Sequence, residues 1–154
     1  MKIVLASDHN GVAFKELLKE YLVSKNYECV DIGSFGDEKV DYPDYGIPAA
    51  EMVARGEADR AILICGTGIG MAMAANKVCG IRAALCLNPE AARLSRRHND
   101  ANILALTGWQ IEQEDIYSIV DNFLDTSFEG GRHKRRVDKI MDYDEKARRG
   151  RNRG

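Results

Sequence analysis

The stretch Ala61-Ile62-Leu63-Ile64-Cys65-Gly66-Thr67-Gly68-Ile69-Gly70 limits what this chain can fold into more than any other. Four consecutive apolar residues, preceded by Asp59-Arg60 and followed by three glycines, predict a strand covered on both faces. Met71-Ala72-Met73-Ala74-Ala75 then favours helix. Cys65 falls at the junction, facing a helix N-terminus. Unsatisfied N–H groups and the helix dipole there lower a thiol's pKa from about 8.5 and attract anions, so one turn can supply a base and an anion site. That pairing points to chemistry on a phosphorylated substrate. The plainer reading of Cys65, a small buried hydrophobe, stays open.

The rest of the chain alternates in the same way. Strands are expected over Lys2–Ser7, Glu28–Ile32, Arg60–Cys65, Arg82–Leu87 and Asn102–Leu106. Between and after them, helices are expected over Val12–Leu22, Ala49–Arg55, Gly68–Val78, Pro89–Arg97 and Ile111–Leu124, with Val40–Pro48 as a two-proline loop. This βαβα order predicts an α/β fold: a single three-layer α/β/α sandwich around a Rossmann-like parallel sheet of about five strands. Ligands of such sheets bind at the carboxyl ends of the strands.

That rule selects the polar residues. After the first strand come Ser7-Asp8-His9-Asn10, where an Asp–His pair suits sugar hydroxyls or phosphate and reads equally as an Asx-type helix cap with a solvent-facing His. Arg96-Arg97-His98-Asn99-Asp100 reads first as a helix C-terminus with basic residues against the dipole. In Gly130-Gly131-Arg132-His133-Lys134-Arg135-Arg136, Arg132 and Arg136 are four apart and share a helical face. Two guanidinium forks suit a phosphate, although a charge run is more often a solvated face. On this reading Arg132 and Arg136 alone point inward.

Size and charge set outer limits. A chain of 154 residues fits one domain with a real core, and its formal net charge of −2 argues against a general nucleic-acid binder. No leader-like start and no apolar run of about 20 residues is evident, so a cytoplasmic protein without membrane contact is expected. The four cysteines form no CxxC pair and read as reduced thiols. Residues 145–154, with Arg148, Arg149, Arg151 and Arg153, read as a basic, frayed tail beyond a domain of residues 1–144.

Taken in order, these pieces resemble the ribose-5-phosphate isomerase type B family, which includes allose- and galactose-6-phosphate isomerases. The likeness runs from Met1 to about Ile140. It rests on Ser7-Asp8-His9, Val40-Asp41-Tyr42-Pro43, Ile64–Gly70, Ala74-Ala75-Asn76-Lys77, Gly80–Ala84, Ser95–Asn102 and Glu129–His133. The resemblance implies an aldose–ketose isomerase of the pentose phosphate pathway that needs no cofactor or metal. By analogy Cys65 is the general base, and Thr67 and His98 help to open the furanose ring. Asp8, His9 and Tyr42 belong to the substrate pocket, and Asn99 orients the enediolate. Backbone N–H groups of Gly66, Gly68, Ile69 and Gly70 form the anion hole, and Arg132 and Arg136 clamp the phosphate. The resemblance further implies a homodimer, or a tetramer, that shares its sites, with His98 and Asn99 supplied by the neighbouring subunit.

One position departs from the family. Where an arginine usually follows the last strand in a Gly-x-Arg pattern, this chain has Leu106-Thr107-Gly108-Trp109-Gln110. Trp109 either narrows the pocket, packs on a sugar face or lies at a subunit interface. A dinucleotide-binding domain is disfavoured, because Asp8 stands where a pyrophosphate would sit and the glycines lack GxGxxG spacing. A Walker-type phosphate loop is absent. A 6-phosphohexose isomerase and a catalytically idle sugar-phosphate binder remain as alternatives.

Overall fold

After Lys2 every residue of β1 (Lys2–Ser7) is buried, so both faces of this strand need a cover. The computed structural model describes residues 1–154 and supplies it. In chain order β1 is followed by α1 (Val12–Ser24), β2 (Glu28–Asp31), α2 (Pro43–Ala54), β3 (Arg60–Cys65), α3 (Ile69–Ala75), β4 (Ala83–Leu85), α4 (Pro89–Asn99), β5 (Ile103–Thr107), α5 (Gln113–Asp125) and α6 (Arg132–Arg151). The five strands are parallel, in the order β2-β1-β3-β5-β4. No helix is long and apolar enough to cross a membrane.

Alternation along the strands builds the two halves of the core. Ile3, Leu5, Ile62, Ile64, Leu104 and Leu106 face one side, under Leu18 and Leu22 of α1, Ala92 of α4 and the apolar stripe of α5. Val4, Ala6, Ala61, Leu63, Cys65, Ile103 and Ala105 face the other, against α2 and α3. The expected three-layer α/β/α sandwich is therefore present. The strands are expected within a few residues of their observed places, and all four cysteines are free thiols.

Three expectations need correction. The loop expected over Val40–Pro48 is helical from Pro43, with Pro43 in the first turn, where a missing N–H costs nothing. Pro48 lies inside that helix; Ala49 and Ala50, both fully buried, hold α2 to the sheet despite the lost backbone bond. The basic end expected to fray continues α6 as helix to Arg151. Glu145 accepts hydrogen bonds from Arg148 at 2.7 Å and Arg149 at 2.9 Å, one turn away, and these lower its carboxyl pKa to about 2. Asp144, accepting the Gly80 N–H at 2.6 Å, anchors the same turn to the body of the protein. Finally, Arg132 and Arg136 are exposed, and His133 and Val137 are the residues of that turn that point inward.

One charged side chain is fully buried. Lys15 of α1 reaches Asp31 at the end of β2 at 2.7 Å, and Asp31 itself is almost fully enclosed. The ammonium lies 4.7 Å from the Phe35 ring centre, and the other Asp31 oxygen accepts the Gly33 N–H at 3.0 Å. The pair thus ties the segment after β2 to α1.

Removing one partner of a buried ion pair leaves the other uncompensated. Lys15→Met is expected to destabilise the fold by about 3 kcal/mol, at the low end because Lys19 remains near Asp31, in urea unfolding; Lys15→Met with Asp31→Leu should recover most of that loss.

Candidate active site

In the order β2-β1-β3-β5-β4 the chain leaves β1 first to one side and then to the other, so the switch point lies between β1 and β3. Ligands of open parallel sheets bind outside the carboxyl ends of the strands at such a point. Ser7 pairs with Ile64, and Cys65 with Thr107, which brings the loops beginning at Asp8, Gly66 and Gly108 to one rim.

The turn after β3 is the centre of that rim. Cys65 is 4% exposed, and its Sγ accepts the Gly68 N–H at 3.2 Å. Thr67 is half-buried, with its Oγ1 accepting the Ile69 N–H at 3.2 Å. The Gly70 and Met71 N–H groups, at the start of α3, make no hydrogen bond within the chain. Gly68 has φ +78°, and a Cβ on it would come within 2.9 Å of the Leu106 carbonyl oxygen, so the position requires glycine. Burial pushes the Cys86 thiol up to about 11 and also raises those of Cys29 and Cys79.

Asp8 and His9 complete the rim from β1. Asp8 is buried, and one carboxylate oxygen accepts the Asn10 N–H at 2.9 Å; this is an Asx turn and not the expected helix cap, because α1 begins after Gly11 with no side chain capping it. His9 Nδ1 accepts the Val40 N–H at 3.2 Å. A neutral ring that accepts at Nδ1 carries its proton on Nε2, which lies 3.4 Å from the Asn10 side-chain amide. Two aromatic rings flank the glycines. A Cβ on Gly70 would lie 2.5 Å from Tyr42 Cζ, and one on Gly66 would lie 2.6 Å from Trp109 Cη2, so both rings rest on bare backbone. Trp109 is 64% exposed.

His98 and Asn99 do not join this group within one chain. They end α4, which returns to the amino end of the sheet before β5 begins at Ile103. Five residues of β5 at ~3.3 Å each separate that end from the rim by about 13 Å or more. Arg132 and Arg136 lie with His98, because His133 between them stacks on it with ring centres 4.2 Å apart and planes 10° from parallel. Glu129 and His133 belong to the Glu129–His133 stretch on which the resemblance rests, but the sequence assigns neither of them a role. Glu129 hydrogen-bonds the Arg97 guanidinium and lies 3.8 Å from His133 Nε2. Burial, with the charges of His98 and Arg132, pushes His133 below the ordinary imidazole value. His98, Glu129 and His133 offer nitrogen and oxygen atoms within 4.8 Å of one another. Nearly parallel rings share no in-plane point for a cation, so coordination by both would require one ring to turn out of the stack.

Comparison with known proteins identifies the family. The family described as Ribose/Galactose Isomerase matches residues 3–140. Ribose-5-phosphate isomerase B of Escherichia coli strain K12 is 45% identical, over 90% of this chain and 93% of that one. The structure of Clostridium thermocellum ribose-5-phosphate isomerase B superposes with a TM-score of 0.94 at 50% identity, covering 96% of this chain and 99% of that chain. That of the Mycoplasma genitalium ribose-5-phosphate isomerase B, solved with bound ribulose-5-phosphate, gives 0.90 at 44% identity, covering 94% and 96%. The class is thus that of aldose–ketose isomerases on a Rossmann-like parallel sheet. The chain belongs to the ribose/galactose isomerase family, in its ribose-5-phosphate isomerase type B group.

Reshaping the glycine turn tests the geometry. Gly68→Val is expected to lower isomerase turnover by about a hundredfold, the cost of losing a well-placed oxyanion donor. Initial rates normalised to the folded fraction check this, and near-normal turnover would argue against the turn as an anion site.

Proposed function

We propose that this chain interconverts ribose 5-phosphate and ribulose 5-phosphate, a step of the pentose phosphate pathway, through a cis-enediolate with Cys65 as the base. The observation that carries the reading is the Cys65 thiol on the Gly68 N–H, at the switch point, beside the unpaired Gly70 and Met71 N–H groups. An aldose–ketose isomerisation moves one proton between C2 and C1 and changes no net oxidation state, so a single base and donors at the developing oxyanion suffice. Cys65 takes the proton from C2 and returns it to C1, while the free amides of Gly70 and Met71 hold the oxygen on which charge develops; the Gly68 and Ile69 amides, expected to share that role, are engaged by Cys65 Sγ and Thr67 Oγ1. Asp8 and the His9 Nε2–H bind hydroxyl and phosphate oxygens beside Tyr42. His98 and Thr67 exchange the protons that open the furanose ring, and Asn99 orients the enediolate.

The active unit in this reading is a homodimer. His98 and Asn99, about 13 Å or more from Cys65 along β5, then serve the neighbouring subunit's thiol, and Arg132 and Arg136 travel with them to clamp the phosphate. Ile69, Met73 and Leu87 are about half exposed or more, and a groove lined by Ile69, Ala72, Met73 and Leu85 runs beside the thiol turn. A second copy covering this face would bring its own α4 to the rim.

The deciding measurement is turnover of ribose 5-phosphate in excess chelator, by the wild-type chain and by Cys65→Ala, with allose 6-phosphate in parallel. Pentose turnover that survives chelation and collapses in Cys65→Ala is expected. No turnover of either sugar by the folded wild type would reduce the assignment to fold alone. Trp109→Arg, which restores the family's usual cation, is expected to lower KM for the pentose phosphate by about tenfold, the worth of one charge-assisted bond. An unchanged KM would show that position 109 faces away from the phosphate.

A further inference from the structure

His98 is half-buried at the end of a helix, and its own backbone does nothing to fix the plane of its ring. What fixes it is His133. That side chain is 6% exposed and meets His98 face to face at 4.2 Å and 10°. His133 Nε2 is buried and has no hydrogen-bond partner, so what this residue offers its neighbour is its ring face. Behind it stands Glu129, at 3.8 Å from Nε2, itself held by the Arg97 guanidinium and by a 3.0 Å bond from its own N–H to the Arg97 carbonyl. Arg97 adjoins His98 in α4, so the support closes on the helix that carries the ring it supports.

We infer that His133 is a positioning residue for His98: its buried imidazole is the platform that holds the His98 ring in the plane needed for proton exchange with the sugar.

The inference rests on the role given to His98 above and extends it to a residue that touches no substrate. A freely turning ring would sample many proton directions, whereas a stacked one presents its nitrogens edge-on along a single plane. The arrangement also suits a ring that gains and loses charge. Two imidazolium rings in contact repel, and a neutral face beneath a cation attracts it. Burial favours the uncharged form of His133, and the charged groups around the pair are Arg97, Arg132, Arg136, Glu90 and Glu129. Of the two rings, His133 is the one whose burial favours the neutral form. Sequence spacing gives no hint of this, because the flanking arginines hide the one inward-facing residue of the turn.

Three variants separate platform from bulk. His133→Phe keeps a flat ring and needs no partner for its edge; His133→Leu keeps comparable volume without a π face; His133→Ala removes both. In His133→Ala and His133→Leu, kcat for ribose 5-phosphate is expected to fall by about tenfold or more, with KM within about twofold, and His133→Phe should return kcat to within about threefold of wild type. A folded His133→Ala or His133→Leu chain with wild-type kcat would overturn the inference. So would a loss in His133→Phe as large as in His133→Ala. An NMR readout independent of turnover completes the test: the ring-current shift of the His98 carbon-bound protons should be kept in His133→Phe and lost in His133→Leu. If the wild type shows no turnover while the shift follows this pattern, the platform stands and the isomerase reading fails. If the shift is the same in all variants, the platform fails whatever the turnover.

Discussion

The position of the Cys65 thiol depends on a clasp between two loops that are distant in sequence. Thr107, the last residue of β5, is fully buried, and its hydroxyl donates to the Gly66 carbonyl at 2.6 Å while accepting the Trp109 and Gln110 N–H groups at 3.1 Å each. The Gly108 N–H donates to the Cys65 carbonyl at 2.8 Å. Each such bond is worth only about 1 kcal/mol net, but a buried carbonyl left without its donor costs about 1–3 kcal/mol. The turn after β3 and the turn after β5 therefore move as one body. This is what lets the N–H groups of Gly70 and Met71 remain unpaired at the rim: the turn is held by its carbonyls and by the Gly68 and Ile69 amides, and these two are left over.

The same clasp explains the seating of Trp109. The Trp109 backbone N–H is tied to Thr107 Oγ1, and the indole lies over Gly66, where a bare backbone leaves room. Tyr42 does the same over Gly70 from the start of α2. The alternation of glycine with other residues in Gly66–Gly70 thus does two jobs. Gly68 makes the left-handed bend, and the two outer glycines admit the aromatic rings that flank the pocket.

How much of this could be read from the residues follows from the range of the interactions. The five strands were legible because a strand buried on both faces writes itself as a local apolar run, and the Ile64–Gly70 turn because its glycines lie beside its thiol. α2 was misplaced at its start because two prolines are a strong local signal, while the packing of Ala49 and Ala50 against the sheet is not local at all. The inward face of the Arg132–Val137 turn was misjudged because the charge of the arginines suggested a ligand, whereas His133 and Val137 had packing partners in the fold. The Lys15–Asp31 pair, sixteen residues apart, and the Arg97–Glu129 pair, thirty-two apart, carry no sequence signature. The helical tail is hidden from composition, which shows a cluster of arginines and not that Glu145 pairs with two of them one turn away.

The division of polar groups between the two ends of the sheet has a further meaning under the proposed function. At the carboxyl end, Cys65, Asp8 and His9 are held by backbone N–H groups, which are acidic neighbours suited to acceptors. At the amino end, His98 rests on an aromatic face and its nearest polar relations are side chains that pair with one another. A base is best fixed by donors that favour its charged form, and a group that must both give and take a proton is best fixed by contacts indifferent to its state. Within one chain the two kinds of support would compete for the same turn of backbone. Placed at opposite ends of the sheet, each can be rigid on its own terms, and in the proposed dimer one copy's His98 would meet the other copy's thiol turn at a single site.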